Sequence, residues 1–196
     1  KRKASISKIA ETMTKKDISS VIIVDGKGKL EGIVTKTDIT AWYGAMRGAY
    51  KVREFMTAKP VTVKPSQSVF LVASLMAEHA ISRVVVVADK ENKPAGIITE
   101  ADTTMVSRLL KPAKILKEGK PLVVRGAIAL PKSIHLLTAG DIMTSDPVTV
   151  SRSADLADAA EIMTKRKISG LPVTDKGKLV GIITKSDIIR AVAREK

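Results

Sequence analysis

An α+β fold assembled from repeats of one small β-α-β-β-α unit is what this 196-residue sequence predicts. Two observations carry the prediction. A segment running from Met through Ile-Ser to Thr-x-x-Asp occurs three times, and a stretch with helical apolar spacing leads into each copy. Each repeat is expected to form a small three-stranded sheet packed with two helices, with two repeats paired and a third standing beside them.

The elements follow in chain order. The opening strand of the unit is "Val-Thr-Val", found in "REFMTAKPVTV" from Arg53 and in "DIMTSDPVTV" from Asp141. The first helix comes next. Leu156, Ala159, Ala160 and Met163 stand at i, i+3, i+4 and i+7, and Val69, Val72, Ala73 and Met76 repeat the stripe, as do Ile6, Ile9, Ala10 and Met13. Two strands joined by a tight turn follow in "MTKKDISSVIIVDGKGKLEGIVTKTDI" from Met13, "MAEHAISRVVVVADKENKPAGIITEADT" from Met76 and "MTKRKISGLPVTDKGKLVGIITKSDI" from Met163. The closing Thr-x-x-Asp starts the second helix.

This order divides the chain into repeat 1 over residues 1–48, repeat 2 over 49–110, a linker over 111–138 and repeat 3 over 139–196. Lys1 aligns with Ser151, just past the opening strand, so repeat 1 is expected to lack that strand. The linker carries Pro112, Pro121 and Pro131, with one strand expected in "PLVVRGAIAL". A unit this small buries little surface alone, so repeats should associate in pairs. With three repeats one is left over, and a homodimer or a fourth repeat outside this chain would complete it.

Composition narrows the function. Aromatic residues make up 3% and cysteine is absent, which leaves an aliphatic core and excludes disulfides, thiolate metal sites and cysteine nucleophiles. No apolar run reaches membrane-spanning length, and a cytoplasmic protein is expected. The net charge of +14 suits polyanions, yet the lysines are scattered over amphipathic segments as on ordinary solvated faces. His79 and His135 are the only histidines, and neither has metal-ligand spacing to other donors, so no metal site is expected. "DGKGKLEG" from Asp25 matches no phosphate-loop pattern and reads as a hairpin turn. Trp42 and Tyr43 read as packing residues. No triad or carboxylate pair stands out, so no catalysis is expected.

The Thr-x-x-Asp elements remain. A capping box accounts for any single copy, since Thr accepts from an orphan backbone N–H and the acid favours the first turn. A helix N-terminus with a Thr hydroxyl also suits phosphate, and the Asp suits ribose hydroxyls better than a bare anion.

The unit order, "DIMTSDPVTV" and "ISGLPVTDKGKLVGIITKSDI" resemble CBS domains, the regulatory repeats named after cystathionine beta-synthase. In that family two repeats pair as a Bateman module and bind adenosyl compounds such as AMP, ADP, ATP or S-adenosylmethionine, with no cofactor required. The resemblance implies ribose binding by Asp187, Asp102 and Asp38. It places Thr184, Lys185, Ser186, Thr99, Thr35 and Lys36 near phosphate. Pro147, Val148, Ser169, Gly170, Leu171 and Pro172 would surround the base in repeat 3, and Pro60, Val61, Ser82, Arg83 and Val84 in repeat 2. Glu100 stands where the other repeats carry Lys36 and Lys185, and repeat 1 lacks one wall of its base pocket, so the repeat 3 site ranks first. Two readings stand beside the adenosyl-binding regulatory module: a basic nucleic-acid-binding scaffold, and a structural dimerisation module with vestigial sites.

Overall fold

The computed structural model describes residues 5–46, 48, 50–88, 92–109, 116–117, 120–121 and 137–195. Most of the linker, including His135 and all but the first residue of the strand expected in "PLVVRGAIAL", lies outside them. Repeat 1 comprises α1 (Ile6–Lys16), β1 (Ser20–Val24), β2 (Leu30–Thr35) and α2 (Lys36–Gly44). Its successor adds a leading segment, α3 (Val52–Phe55), β3 (Thr57–Ala58) and β4 (Thr62–Val63), before α4 (Val69–Glu78), β5 (Arg83–Val87), β6 (Pro94–Thr99) and α5 (Glu100–Leu109). Two short strands, β7 (Leu116–Lys117) and β8 (Lys120–Pro121), pair within the connection. Repeat 3 runs through α6 (Ala139–Ile142), β9 (Thr144–Ser145), β10 (Val150–Ser151), α7 (Leu156–Lys165), β11 (Gly170–Asp175), β12 (Lys178–Thr184) and α8 (Lys185–Arg194).

The spacing of five residues from Met to Ile has a backbone cause. Each first helix ends on a residue in the left-handed region, at Asp17, Ala80 and Lys167, with φ of 47°, 50° and 55°. The Ile18, Ile81 and Ile168 N–H groups then donate to the Met13, Met76 and Met163 carbonyls at 3.1, 2.9 and 3.0 Å. This is a Schellman closure, in which the two bonded residues are also in apolar contact, so both must be hydrophobic. It turns the chain directly into the next strand.

The two complete sheets hold four strands, in the orders β10-β11-β12-β3 and β4-β5-β6-β9. The fourth strand of each is the Met-Thr segment, only two residues long, and it comes from the other repeat's lead: β3 pairs with β12, and β9 with β6. The leads are thus exchanged. The Val52 and Arg53 N–H groups donate to the Ala154 and Arg152 carbonyls, while Ala139 and Gly140 donate to Gln67 and Pro65. The chain accordingly divides at two prolines, into one unit of residues 1–60 and 148–196 and a second of residues 61–147.

In the first unit, repeats 1 and 3 pack through their helices, α1 on α8 and α2 on α7. The core between them holds Met13, Ile39, Tyr43, Leu156, Met163, Leu171, Ile183 and Ile188. The second unit has a smaller core around Val63, Val72, Met76, Val84, Val86 and Ile98. As its sequence suggests, the Asp25 turn is a hairpin, with Asp25 Oδ1 accepting from the Lys27 and Lys29 N–H groups at 2.8 and 2.9 Å and Gly28 at φ +81°.

Tyr43 is the discordant core residue. Its hydroxyl is buried with no hydrogen-bond partner among the described residues, and burial pushes its pKa up to about 12. A buried unpaired hydroxyl costs roughly 1–3 kcal/mol. Tyr43→Phe keeps the ring and removes that cost, so a urea unfolding midpoint at or above that of the parent is expected; a midpoint well below it would mean that the hydroxyl is bonded.

Candidate functional site

Each second helix starts at the end of a hairpin, and one hydrogen bond fixes it there. The Lys36, Glu100 and Lys185 N–H groups donate to the Ser19, Ser82 and Ser169 carbonyls at 2.9, 2.9 and 3.1 Å. The start of the first hairpin strand and the first turn of the helix are therefore neighbours in every repeat. In repeat 3 this sets Ser169 and Gly170 beside Thr184 and Lys185, and in repeat 2 it sets Ser82 and Arg83 beside Thr99.

All three Thr-x-x-Asp elements are helix caps. Asp187 Oδ2 accepts from the Thr184 N–H at 2.7 Å and from its hydroxyl at 2.8 Å. Asp102 Oδ2 takes the same two bonds from Thr99 at 2.7 Å each, and Asp38 Oδ2 takes them from Thr35 at 2.8 and 2.7 Å. The cap thus uses one carboxylate oxygen, Oδ2, in each repeat. Hydrogen bonds from the Thr35 hydroxyl and N–H hold the Asp38 carboxyl below its ordinary pKa, and the positive charge of Lys185 adds a smaller pull. Such bonds favour the charged form, which is the form that accepts from hydroxyls.

The three copies differ in burial and in partners. Asp38 is exposed and Asp102 half-buried, but Asp187 is buried. Its Oδ1 meets the guanidinium of Arg190, which also donates to the Phe55 carbonyl at 2.9 Å. Arg190 was not among the sequence candidates, although its place three residues after Asp187 puts it on the same helix face. A fourth box, Thr138 with Asp141, caps α6 by the same bonds and was readable as "TAGD".

Repeats 1 and 3 bring their two helix starts together. Lys36 Nζ donates to Ser186 Oγ at 3.1 Å, and Lys185 Nζ donates to Thr37 Oγ at 3.0 Å. Each lysine lies across the first turn of the other repeat's helix. Beside this crossing, Met13, Thr14, Asp17, Lys36, Ser186, Asp187 and Arg190 line a cleft of about 200 Å³. That is room for the ribose-phosphate end of a nucleotide and less than the few hundred Å³ that a whole one fills. In repeat 2 a second cleft, of about 490 Å³, runs between α4 and the start of α5, with Ser82 and Glu100 in its lining. Its charge at the lysine position is negative.

The residues expected around a base are dispersed differently. Leu171 and Val84 have fully buried side chains within the two cores, so only their backbone can meet a ligand. Gly170 and Pro172 are buried too, whereas Ser169, Ser82 and Val148 are exposed and Arg83 is half-buried. Pro60 ends the first stretch of one unit and Val61 opens the other; Pro147 and Val148 stand at the return crossing. His79 is exposed at the end of α4. Among the described residues no helix is long and apolar enough to cross a membrane.

The model of the CBS domain family matches residues 1–44, 52–105 and 139–194. The chain is 33% identical over 173 residues to an uncharacterized protein of Methanocaldococcus jannaschii, covering 87% of this chain and 39% of that protein. It spans between 39% and 66% of the length of the first curated relatives it matches. Among solved structures, CBSX2 of Arabidopsis thaliana in complex with AMP superposes with a TM-score of 0.55 at 30% identity, covering 73% of this chain and 96% of that one. A CBS domain pair in complex with 5-methylthioadenosine and S-adenosyl-L-methionine superposes with a TM-score of 0.57 at 26% identity, covering 75% and 98%.

Proposed function

This chain belongs to the CBS domain family, and on that premise we propose that it is a non-catalytic regulatory module that binds adenosyl ligands and converts their binding into a change in how its repeats pack. The observation that carries the reading is the meeting of two Thr-x-x-Asp helix starts with their lysines crossed. Relatives solved with AMP and with S-adenosylmethionine supply the ligand class.

The roles follow from the chemistry of each group. The Oδ1 atoms of Asp187, Asp38 and Asp102 accept from ribose hydroxyls, and the Thr184, Thr35 and Thr99 starts lie toward the phosphate. Lys36 serves a phosphate at the repeat 3 helix start, and Lys185 one at the repeat 1 start. A phosphate arriving there draws a lysine off its Ser186 or Thr37 hydroxyl, because an anionic acceptor adds charge–charge attraction that a neutral hydroxyl lacks. Occupation of one start therefore alters the other, which is a coupling free energy between sites. Repeat 2, with Glu100 at the lysine position, takes a nucleotide phosphate less well and suits an adenosyl compound without one. Calorimetric titration with AMP, ATP and S-adenosylmethionine tests the reading: saturable binding of at least one is expected, and saturable binding of none of the three overturns it.

A further inference from the structure

Asp187 has fewer acceptor positions to offer than a ribose edge can use. A carboxylate holds about four, two on each oxygen. The Thr184 N–H and hydroxyl take both on Oδ2, and the Arg190 guanidinium takes one on Oδ1. At most one is left, whereas a ribose presents two vicinal hydroxyls. The Asp187 side chain is 8% exposed and locked by the cap, so it cannot turn to make room. A ligand that grips Asp187 through both hydroxyls must therefore displace either a Thr184 bond, which frays α8, or Arg190. Arg190 is the easier to move, because its side chain is 48% exposed and its guanidinium can pass into water. It also lines the same cleft as Asp187, where the ligand arrives.

Moving Arg190 has a consequence in another segment. The same guanidinium nitrogen donates to the Phe55 carbonyl at 2.9 Å, and Phe55 is the last residue of α3, directly ahead of Met56 and β3 in the exchanged lead. Arg194, one turn further along α8, lies over the Phe55 ring with its guanidinium 5.0 Å from the ring centre, and Tyr50 meets that ring edge-on at the same distance. Asp187, Arg190 and Arg194 thus form one face of α8 that runs from the cap to the lead. The fold does not demand this linkage. No arginine follows Asp38 or Asp102 at the same spacing, where the chain carries Ala41 and Met105, and the second exchanged lead has Ile142 in place of Phe55. Among the described residues only one lead is tied to a Thr-x-x-Asp element in this way, and the aspartate concerned is the buried one.

We propose that Arg190 is a latch between ligand and lead: a ribose bound to Asp187 through both hydroxyls displaces the guanidinium, the Phe55 carbonyl loses its donor, and the lead loosens on α8. The inference rests on the adenosyl reading of this site. The ring contact with Arg194 remains, so residues 52–59 open locally while the rest of the repeat stays folded.

The test is amide hydrogen exchange on the ¹⁵N-labelled whole chain, with and without saturating AMP, ATP or S-adenosylmethionine. The reporters are the Val52, Arg53 and Lys59 N–H groups, which donate to the Ala154, Arg152 and Val180 carbonyls. Loss of a charge-assisted bond from the lead should raise their exchange about tenfold on ligand binding, against the slowing that binding causes wherever it only stabilises. The Ala139 and Gly140 N–H groups of the second lead should not accelerate. Arg190→Met keeps the stem and removes both bonds, so the same reporters should exchange faster without ligand and no longer respond to it. Saturable binding that leaves the reporters unchanged or slows them overturns the latch and leaves the adenosyl reading standing; saturable binding of none of the three overturns both. Acceleration by ligand that persists in Arg190→Met also overturns the latch, since the arginine is then not what transmits it.

Discussion

Gly44→Val lowers the stability of the unit formed by repeats 1 and 3 by roughly 3 kcal/mol, the upper range for overpacking at a site that cannot relax. Gly44 ends α2, where that helix crosses α7. A Cβ there would come within 2.8 Å of the Glu161 nitrogen, 3.0 Å of its Cα and 3.1 Å of the Ala160 carbonyl carbon. All three are backbone atoms of a helix, so no rotamer change relieves the clash; the two helices must separate. Gly44→Ala carries the same Cβ but gains about 1 kcal/mol of helix propensity, so it should fall between Val and the parent. Gly26, with nothing within 4 Å of its Cβ position, is the control, and Gly26→Ala should leave the midpoint nearly unchanged. Trp42, the chain's only tryptophan, packs against this core and reports the transition by fluorescence in urea. A parental midpoint for Gly44→Val would mean that α2 and α7 do not approach as closely as the geometry requires.

What made the repeats readable was local. The stripe at Ile9, Ala10 and Met13, and its copies, recorded one buried helix face, and the Met-to-Ile spacing recorded one Schellman closure. The family and the α+β class followed from them. The strand exchange was not readable, because Thr57–Ala58 and Thr144–Ser145 are too short to show a period and the choice of a partner sheet is not a local property. The site divides in the same way. Thr184 and Asp187 announced a helix start by their spacing, but the crossing of Lys36 onto Ser186 depends on repeat 1 packing against repeat 3, which no stretch of sequence specifies. Arg190 lies between these cases: its spacing from Asp187 is legible, while its bond to the Phe55 carbonyl depends on the exchanged lead.

That contact makes Asp187 the residue at which cap and ligand roles can be separated. Asp187→Ala removes both bonds to Thr184 and leaves the Arg190 guanidinium without its carboxylate, so a loss of about 1–3 kcal/mol in stability is expected. Adenosyl affinity should fall with it, but that fall alone is ambiguous, since a frayed α8 also displaces Lys185 and Ser186. Asp187→Asn resolves the ambiguity. Its amide oxygen can still accept from Thr184, so the cap survives although the ion pair with Arg190 is lost, while the charged acceptor for a ribose hydroxyl is gone. A hydrogen bond to a charged group contributes about 1.5–3 kcal/mol, so affinity should drop by roughly tenfold to a hundredfold while the urea midpoint falls less than in Asp187→Ala. The same ligand bound equally well by Asp187→Asn would confine Asp187 to the cap and to Arg190, and would move the ribose contact to Asp38 or Asp102. Because Asp38 is exposed and has no arginine three residues on, Asp38→Asn should cost less stability than Asp187→Asn, which makes the pair of variants a direct reading of which helix start carries the ligand.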